Sequence, residues 1–283
     1  MGTNGKFEKD VIGTRMKEFY EDRTRFLLPR RTYTIIRIDG KAFHTYTRGL
    51  EKPFDAGLIE DMDETACYLC KNIQGAKFGF VQSDEISILV TDFDKIGTDA
   101  WFDGNIQKIV SIAASMAAAK FNQLRTLRHF RRLDDDVATV ELTVKFATKQ
   151  IEDYIKLAEF DARVFTIPSD IEVENYFIWR QQDTVRNSIS SVAQTLYSGK
   201  ELTGKNMSQQ QEMIFQKGIN WNDYDPKYKR GRFIFKQVYE KEIMIQNTEL
   251  KDTVCVRTAW VADECPTFTQ DREFLLKFIP KDV

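Results

Sequence analysis

Residues Thr34-Ile35-Ile36-Arg37-Ile38-Asp39-Gly40 and the stretch from Phe78-Gly79-Phe80-Val81-Gln82 through Ser83-Asp84-Glu85 to Ile86-Ser87-Ile88-Leu89-Val90-Thr91 decide how this chain folds. The apolar run 34–38 reads as a mostly buried strand that ends on a carboxylate. A glycine follows at once, and a residue without a side chain lets backbone approach a ligand closely. Residues 78–82 and 86–91 read as two more strands. Only Ser83-Asp84-Glu85 separates them, so they form a tight hairpin with acids at its tip.

Between these strands the period changes. Leu58, Met62, Ala66, Leu69, Cys70 and Ile73 recur at three- and four-residue steps, the pattern of an amphipathic helix. Pro53 and Asp55 suit its first turn and Gly75 its end. A second helix is predicted from about Asn105 to Phe121, with Ile106, Ile109, Val110, Ala113, Met116, Ala117 and Phe121 on its apolar face. Residues 163–167 read as a strand stopped by Pro168, and a long helix follows from about Ile171 to Tyr197. The stretch 131–150 is ambiguous: Asp134-Asp135-Asp136 reads as a loop and 140–146 as an extra strand. Further helices and one short strand near 233–238 complete the chain.

The order through residue 167 is β-α-β-β-α-β, which predicts an α+β, ferredoxin-like fold with sheet order 4-1-3-2. RRM domains and the palms of many polymerases share that pattern, so the fold by itself assigns no activity. It does make strands one and three antiparallel neighbours. Asp39 and Asp84 then lie at one sheet edge on strands about 5 Å apart.

The bulk properties set limits. The chain has 283 residues, 42% hydrophobic and 30% charged, with a formal net charge of −2. That composition supports a sizeable core. No run of 18 apolar residues and no leader pattern is present, which argues against membrane and secretory readings. Cys67, Cys70, Cys255 and Cys265 are too few for a disulfide framework, which points to a reducing cytoplasm. Cys67 and Cys70 lie on the apolar face of the first helix and read as core residues rather than a metal or redox pair. With two histidines, His44 and His129, a His-rich zinc site is excluded. Three basic clusters interrupt the near-neutral balance: Arg23, Arg25, Arg30 and Arg31; Arg125, Arg128, Arg131 and Arg132; Lys227, Lys229, Arg230, Arg232 and Lys236. Each alone reads as a solvated face, and together they make a polyanionic partner plausible.

Two carboxylates at one edge suit Mg²⁺, which prefers hard oxygens and completes its shell with water and phosphate. A pair of such ions is the core of a nucleotidyl-transfer site. The loop Gly40-Lys41-Ala42-Phe43-His44 can offer successive backbone N–H groups to a triphosphate, with Lys52 and Lys108 adding charge. The bland readings stand beside these: Asp-Gly and Ser-Asp-Glu are common polar turns.

At these residues the chain resembles the tRNA-His guanylyltransferase family, and within it the bacterial-type 3′–5′ polymerases. The resemblance begins with Ile36-Arg37-Ile38-Asp39-Gly40-Lys41-Ala42-Phe43-His44 and continues through Lys52-Pro53-Phe54-Asp55 and Gln82-Ser83-Asp84-Glu85. It resumes at Phe160-Asp161-Ala162-Arg163-Val164 and Trp179-Arg180-Gln181-Gln182-Asp183, and spans about residues 30–235 in order. It implies a polymerase-type palm that adds nucleotides to the 5′ end of tRNA. A 5′-monophosphate is activated with a nucleoside triphosphate, usually ATP, and the 3′-hydroxyl of GTP or another incoming nucleotide then attacks. Residues 1–168 would form the catalytic palm with an N-terminal extension. Residues 169–283 would form a mostly helical region packed on it that helps to bind RNA. Asp39, the Gly40 carbonyl and Asp84 would hold two Mg²⁺ ions, with Glu85 as a third catalytic carboxylate supporting them. Gly40, Lys41, Ala42, Phe43, His44, Lys52, Ser83 and Lys108 would bind nucleotide. Asp161, Arg163, Arg180 and Asn187 would meet the RNA. A homotetramer is also implied.

Some residues depart from the family pattern. The tRNA-His enzymes carry His-Ile-Asn-Asn in the long helix, where this chain has Val185-Arg186-Asn187-Ser188. The loop between Phe43 and Lys52 is about two residues short, and Leu50 stands where an aromatic is common. These departures point away from tRNA-His alone and towards repair of 5′-truncated tRNA. Two other readings are a non-catalytic RRM-type RNA-binding module, which needs stacking aromatics on open strands, and a nucleotide cyclase.

Overall fold

The fold is described from a computed structural model covering residues 11–134, 156–243 and 253–281. Six strands form one antiparallel sheet in the order β4-β1-β3-β2-β5-β6. They are β1 (Tyr33–Gly40), β2 (Ala76–Gln82), β3 (Glu85–Val90), β4 (Phe160–Ile167), β5 (Arg232–Ile243) and β6 (Thr253–Glu264). The helices are α1 (Val11–Met16), α2 (Phe43–Tyr46), α3 (Ala56–Asn72), α4 (Ile106–Asp134), α5 (Asp170–Leu196), α6 (Gly199–Leu202), α7 (Met207–Gln216), α8 (Pro226–Arg230) and α9 (Arg272–Leu276).

The central strands β1, β2 and β3 are mostly apolar because both of their faces are covered. On one face Ile36, Ile38, Ile86 and Ile88 pack against Met62 and Leu69 of α3 and Ile109, Ala113, Ala117 and Phe121 of α4. On the other, Tyr33, Ile35, Phe78, Phe80 and Leu89 pack against Val173, Tyr176 and Phe177 of α5. Phe268, Leu275 and Ile279 of the C-terminal segment complete that layer. Gln181 of α5 clasps the segment: its Nε2 donates to the Pro266 carbonyl at 2.8 Å and its Oε1 accepts from the Phe268 amide at 2.7 Å. Cys70 is buried and Cys67 half-buried in the first core, and burial pushes the Cys67 thiol up to about 12.

The first four strands take the expected order, and the register is specific: Asp39 lies opposite Glu85 on one side and opposite Asp161 on the other. Several boundaries differ from expectation. Helix α3 begins at Ala56, and Asp55 is its N-cap, accepting from the Leu58 amide at 2.7 Å, so Pro53 lies outside. Helix α4 runs well past Phe121. Its extension is anchored by charge: Arg125 and Arg128 both pair with Asp61 of α3, which is only 2% exposed. Two members of that basic cluster are thus spent on a buried carboxylate. Arg232 is likewise buried against Asp63. Strand β4 starts three residues earlier than predicted, at Phe160. The short strand near 233–238 is part of a twelve-residue strand, and β6 pairs along it as a second strand that the sequence pattern did not reveal. Strand β5 also pairs with β2, so one sheet runs across residue 168. The expected strand at 140–146 and the loop at 135–136 lie outside the described residues.

Candidate functional site

The alternation of β1 puts Ile36 and Ile38 on the α3/α4 face and Arg37 and Asp39 on the α5 face. Register then places Glu85 and Asp161 beside Asp39 on that same face. Asp84 sits in the two-residue turn between β2 and β3, where its carbonyl accepts from the Gly40 amide at 3.1 Å. That bond ties the end of β1 to the hairpin tip. Ser83 makes the turn in the left-handed region, at φ +45°. A non-glycine residue held there costs about 1–3 kcal/mol and marks a place where local geometry is over-determined.

The carboxylates crowd one another. Burial, followed by the charge of Asp39, pushes the Asp84 carboxyl up to about 6. Burial and Asp161 raise Asp39 above its ordinary value. Half-buried carboxylates that repel one another suit a hard cation, and the Gly40 carbonyl lies on the backbone between them. Among the described residues no three carboxylate, imidazole or thiolate side chains are grouped to cage a metal by themselves. The donor set fits an ion that keeps water and phosphate oxygens in its shell, as Mg²⁺ does.

Glu85, expected as a third catalytic carboxylate, is engaged elsewhere. It is buried, and its Oε1 accepts from Arg180 Nε at 2.8 Å and Gln82 Nε2 at 3.0 Å. Arg180, expected to meet RNA, is 5% exposed and also binds Asp183 at 2.7 Å. Both are supports beneath the site, because α5 lies directly over this face. Thr184, one turn further along α5, reaches Gln82 at 2.5 Å. Ser87 and Tyr176 are 2.8 Å apart. Sequence reasoning missed Gln82, Thr184 and Tyr176 as members of this network. The only signal was polarity at positions where a buried strand and helix face should be apolar.

The loop after β1 turns sharply at Ala42, φ +53°, to start α2. The Phe43 ring is buried against Tyr46, Phe121 and Phe160, so its backbone alone faces outward. A Cβ on Gly40 would come within 2.2 Å of that ring, which explains the glycine. Lys41 pairs with Glu159 at 2.5 Å, and His44 is exposed.

A solvent-open cavity of about 800 Å³ adjoins the hairpin tip. Lys52, Ser83, Gln82, Thr184, Asn187 and Lys227 are among its lining residues. Asn187 reaches this wall because positions 180, 184 and 187 share one side of α5. Asp161 and Arg163 are exposed at the β4 edge and lie 3.6 Å apart. Lys108 does not converge with the rest. It is in the first turn of α4, beside Ile109, which lines a crevice with Thr34 and Val90 at the opposite end of the sheet. Thr34 is five residues from Asp39, roughly 17 Å along the strand.

Paired carboxylates beside a cavity lined by hydroxyl, amide and ammonium groups suit a nucleotidyltransferase. Residues 13–168 match the family described as Thg1, tRNAHis guanylyltransferase, and the chain belongs to that family. A solved bacterial tRNA(His) guanylyltransferase-like protein in complex with ATP is 42% identical, covering 95% of this chain and 99% of its own, with a TM-score of 0.73. The corresponding GTP complex matches over the same shares at a TM-score of 0.68. The tRNA(His) guanylyltransferase of Debaryomyces hansenii is 29% identical over 235 residues, 78% of this chain and 79% of that protein.

Proposed function

We propose that this protein is a template-directed 3′–5′ nucleotidyltransferase that adds nucleotides to the 5′ end of tRNA and repairs 5′-truncated tRNA. The sheet and its helices act as a ferredoxin-like, polymerase-type palm. The observation that carries the reading is the register that joins Asp39 to the Ser83-Asp84 turn beside a solvent-open cavity lined by Lys52, Ser83 and Asn187. The 42% identity to a bacterial protein seen with ATP and with GTP supports nucleoside triphosphates as substrates.

Asp39, Asp84 and the Gly40 carbonyl would hold two Mg²⁺ ions. Bound there, the metals supply Lewis-acid stabilisation of phosphoryl oxygens and a more acidic attacking hydroxyl. In the first step an oxygen of the RNA 5′-phosphate attacks the α-phosphorus of ATP, and pyrophosphate leaves. In the second, the 3′-hydroxyl of the incoming nucleotide attacks the activated 5′-phosphorus, and AMP leaves. The Ala42–His44 backbone amides face the triphosphate. Lys52 and Ser83 contact phosphates from the cavity, and Asn187 contacts the substrate from the opposite wall. Asp161 and Arg163 seat the RNA end. Glu85 and Arg180 position Asp39 and the hairpin from below. The protein acts as a homotetramer.

Arg186 is paired with Asp183 at 2.9 Å, which leaves Asn187 as the exposed polar group of the altered motif at this cavity. That supports repair of several tRNAs over tRNA-His alone. An RRM-type module is disfavoured because Ile36, Ile38, Phe78 and Phe80, at the strand centres, are all buried under helices or the C-terminal segment.

The test is incubation with Mg²⁺, ATP, labelled GTP and a tRNA lacking its first nucleotide. Label at the 5′ end is expected, with comparable repair of several truncated tRNAs. No incorporation into any of them defeats the proposal, and activity confined to tRNA-His replaces repair with guanylation.

A further inference from the structure

The basic cluster on α4 divides into two functions. Arg125 and Arg128 lock α4 to α3 through Asp61, while His129, one residue further on, faces a second cavity. This cavity, about 700 Å³ and open to solvent, is lined by Tyr46, Arg48, Gly49, Leu50, Arg125, His129 and Lys156. Among the described residues no carboxylate lines it. Its floor is rigid: Tyr46 packs on Phe43 and Phe121, and Arg125 is held 3.0 Å from buried Asp61. Its rim is different: Arg48 and Lys156 are exposed, and neither forms an ion pair among the described residues. Leu50 lines both this cavity and the one beside Ser83, so the two are separated only by the loop that follows α2.

We propose that this second cavity is a phosphodiester-binding subsite, gripping the backbone of the same RNA strand whose 5′ end lies at Asp39 and Asp84. Arg125 is compensated by Asp61, so the free charge is that of Arg48 and Lys156, and exposed cations of this kind recognise phosphate and carry no base information. It rests on the reading of RNA as substrate, and it gives the protein a hold on the strand a short distance inside its end. A fixed arginine on the floor sets the phosphate position. The flexible arginine and lysine at the rim add charge without demanding one backbone path.

The experiment measures binding without turnover. A 3′-labelled truncated tRNA is titrated by fluorescence anisotropy over a salt series against the wild type, Arg48→Glu, Lys156→Glu and the double variant. Both side chains are exposed, so the variants should fold, and their melting curves check this. Each reversal is expected to weaken RNA binding about tenfold at low salt and to reduce the slope of log K against log salt by about 1. The KM for GTP at saturating RNA should be unchanged. Unaltered RNA affinity and salt slope overturn the proposal. A raised KM for GTP with RNA binding intact also overturns it, because the cavity would then serve a free triphosphate. If the wild type binds the tRNA but extends no 5′ end, the proposed activity falls, while loss of binding in Arg48→Glu still upholds this subsite.

Discussion

The two faces of the central sheet are built on opposite terms. Under α3 and α4, β1 and β3 present Ile36, Ile38, Ile86, Ile88 and Val90, all buried in an apolar layer. Under α5 the same strands change character along their length. They begin with Tyr33, Ile35 and Leu89 and end in Arg37, Asp39, Glu85 and Ser87. One face has only packing to satisfy. The other must hold charges that repel one another, and it does so by placing Arg180 beneath them. Both faces carry an apolar core, and the acids lie only at the polar end of the second.

Five substitutions probe that division. Asp84→Ala should lower 5′-end incorporation by about three orders of magnitude or more, on the scale of the several kcal/mol that a metal clamp supplies. Its fold should stay intact by circular dichroism, and retained activity would remove Asp84 from the site. Arg180→Met should destabilise by about 3–5 kcal/mol in urea unfolding, because Glu85 is left buried and unpaired. Adding Glu85→Leu should recover most of that loss. If the double variant is no more stable than Arg180→Met, the pair is not the support described here. Ile38→Ala, one residue from Asp39 but on the opposite face, should cost about 2–5 kcal/mol. Activity per folded molecule should hold, and a large fall in kcat would show that the faces are not separable.

The smallest effect comes from Asp84→Asn. Because the folded-state pKa of Asp84 is raised to about 6 from an ordinary 3.8, the native state binds this proton more tightly than the unfolded chain. The ionised group therefore costs stability as pH rises from about 4 to about 6, and the cost is full above that. The variant should be more stable than wild type by about 1–3 kcal/mol at pH 7.5 without added metal. The gain should shrink as pH falls through 6 towards 4. A pH-independent difference would mean that Asp84 is not crowded by burial and Asp39.

The apolar face was legible in the sequence because a strand covered on both sides is a mostly hydrophobic run, as in residues 34–38 and 86–90. The acids at the strand ends stood out against those runs. The support beneath them did not, because Arg180 meets Glu85 across 95 residues of sequence and no local pattern encodes that distance. Arg125 and Arg128 looked solvated for the same reason, since their partner Asp61 belongs to another helix. Lys108 shows the converse error: its type suited phosphate, but the direction of α4 carries it to the far end of the sheet. Strand β6 went unseen because its apolar residues are split, with Arg257 and Thr258 separating Val254-Cys255-Val256 from the half-buried run Ala259-Trp260-Val261-Ala262.

The clasp that Gln181 makes on Pro266 and Phe268 bears on how the chain matures as it is synthesised. All four strands around the carboxylates have been made once Ile167 is added, and α5 then brings Phe177 onto Phe78, yet the cover over Phe78 and Phe80 is complete only after Phe233 and Phe268 follow. A chain made that far has a partly uncovered aromatic sheet face, the kind of surface on which chaperones act. The C-terminal segment works as a late-arriving lock, and the order of translation delays the finished site until that lock has closed.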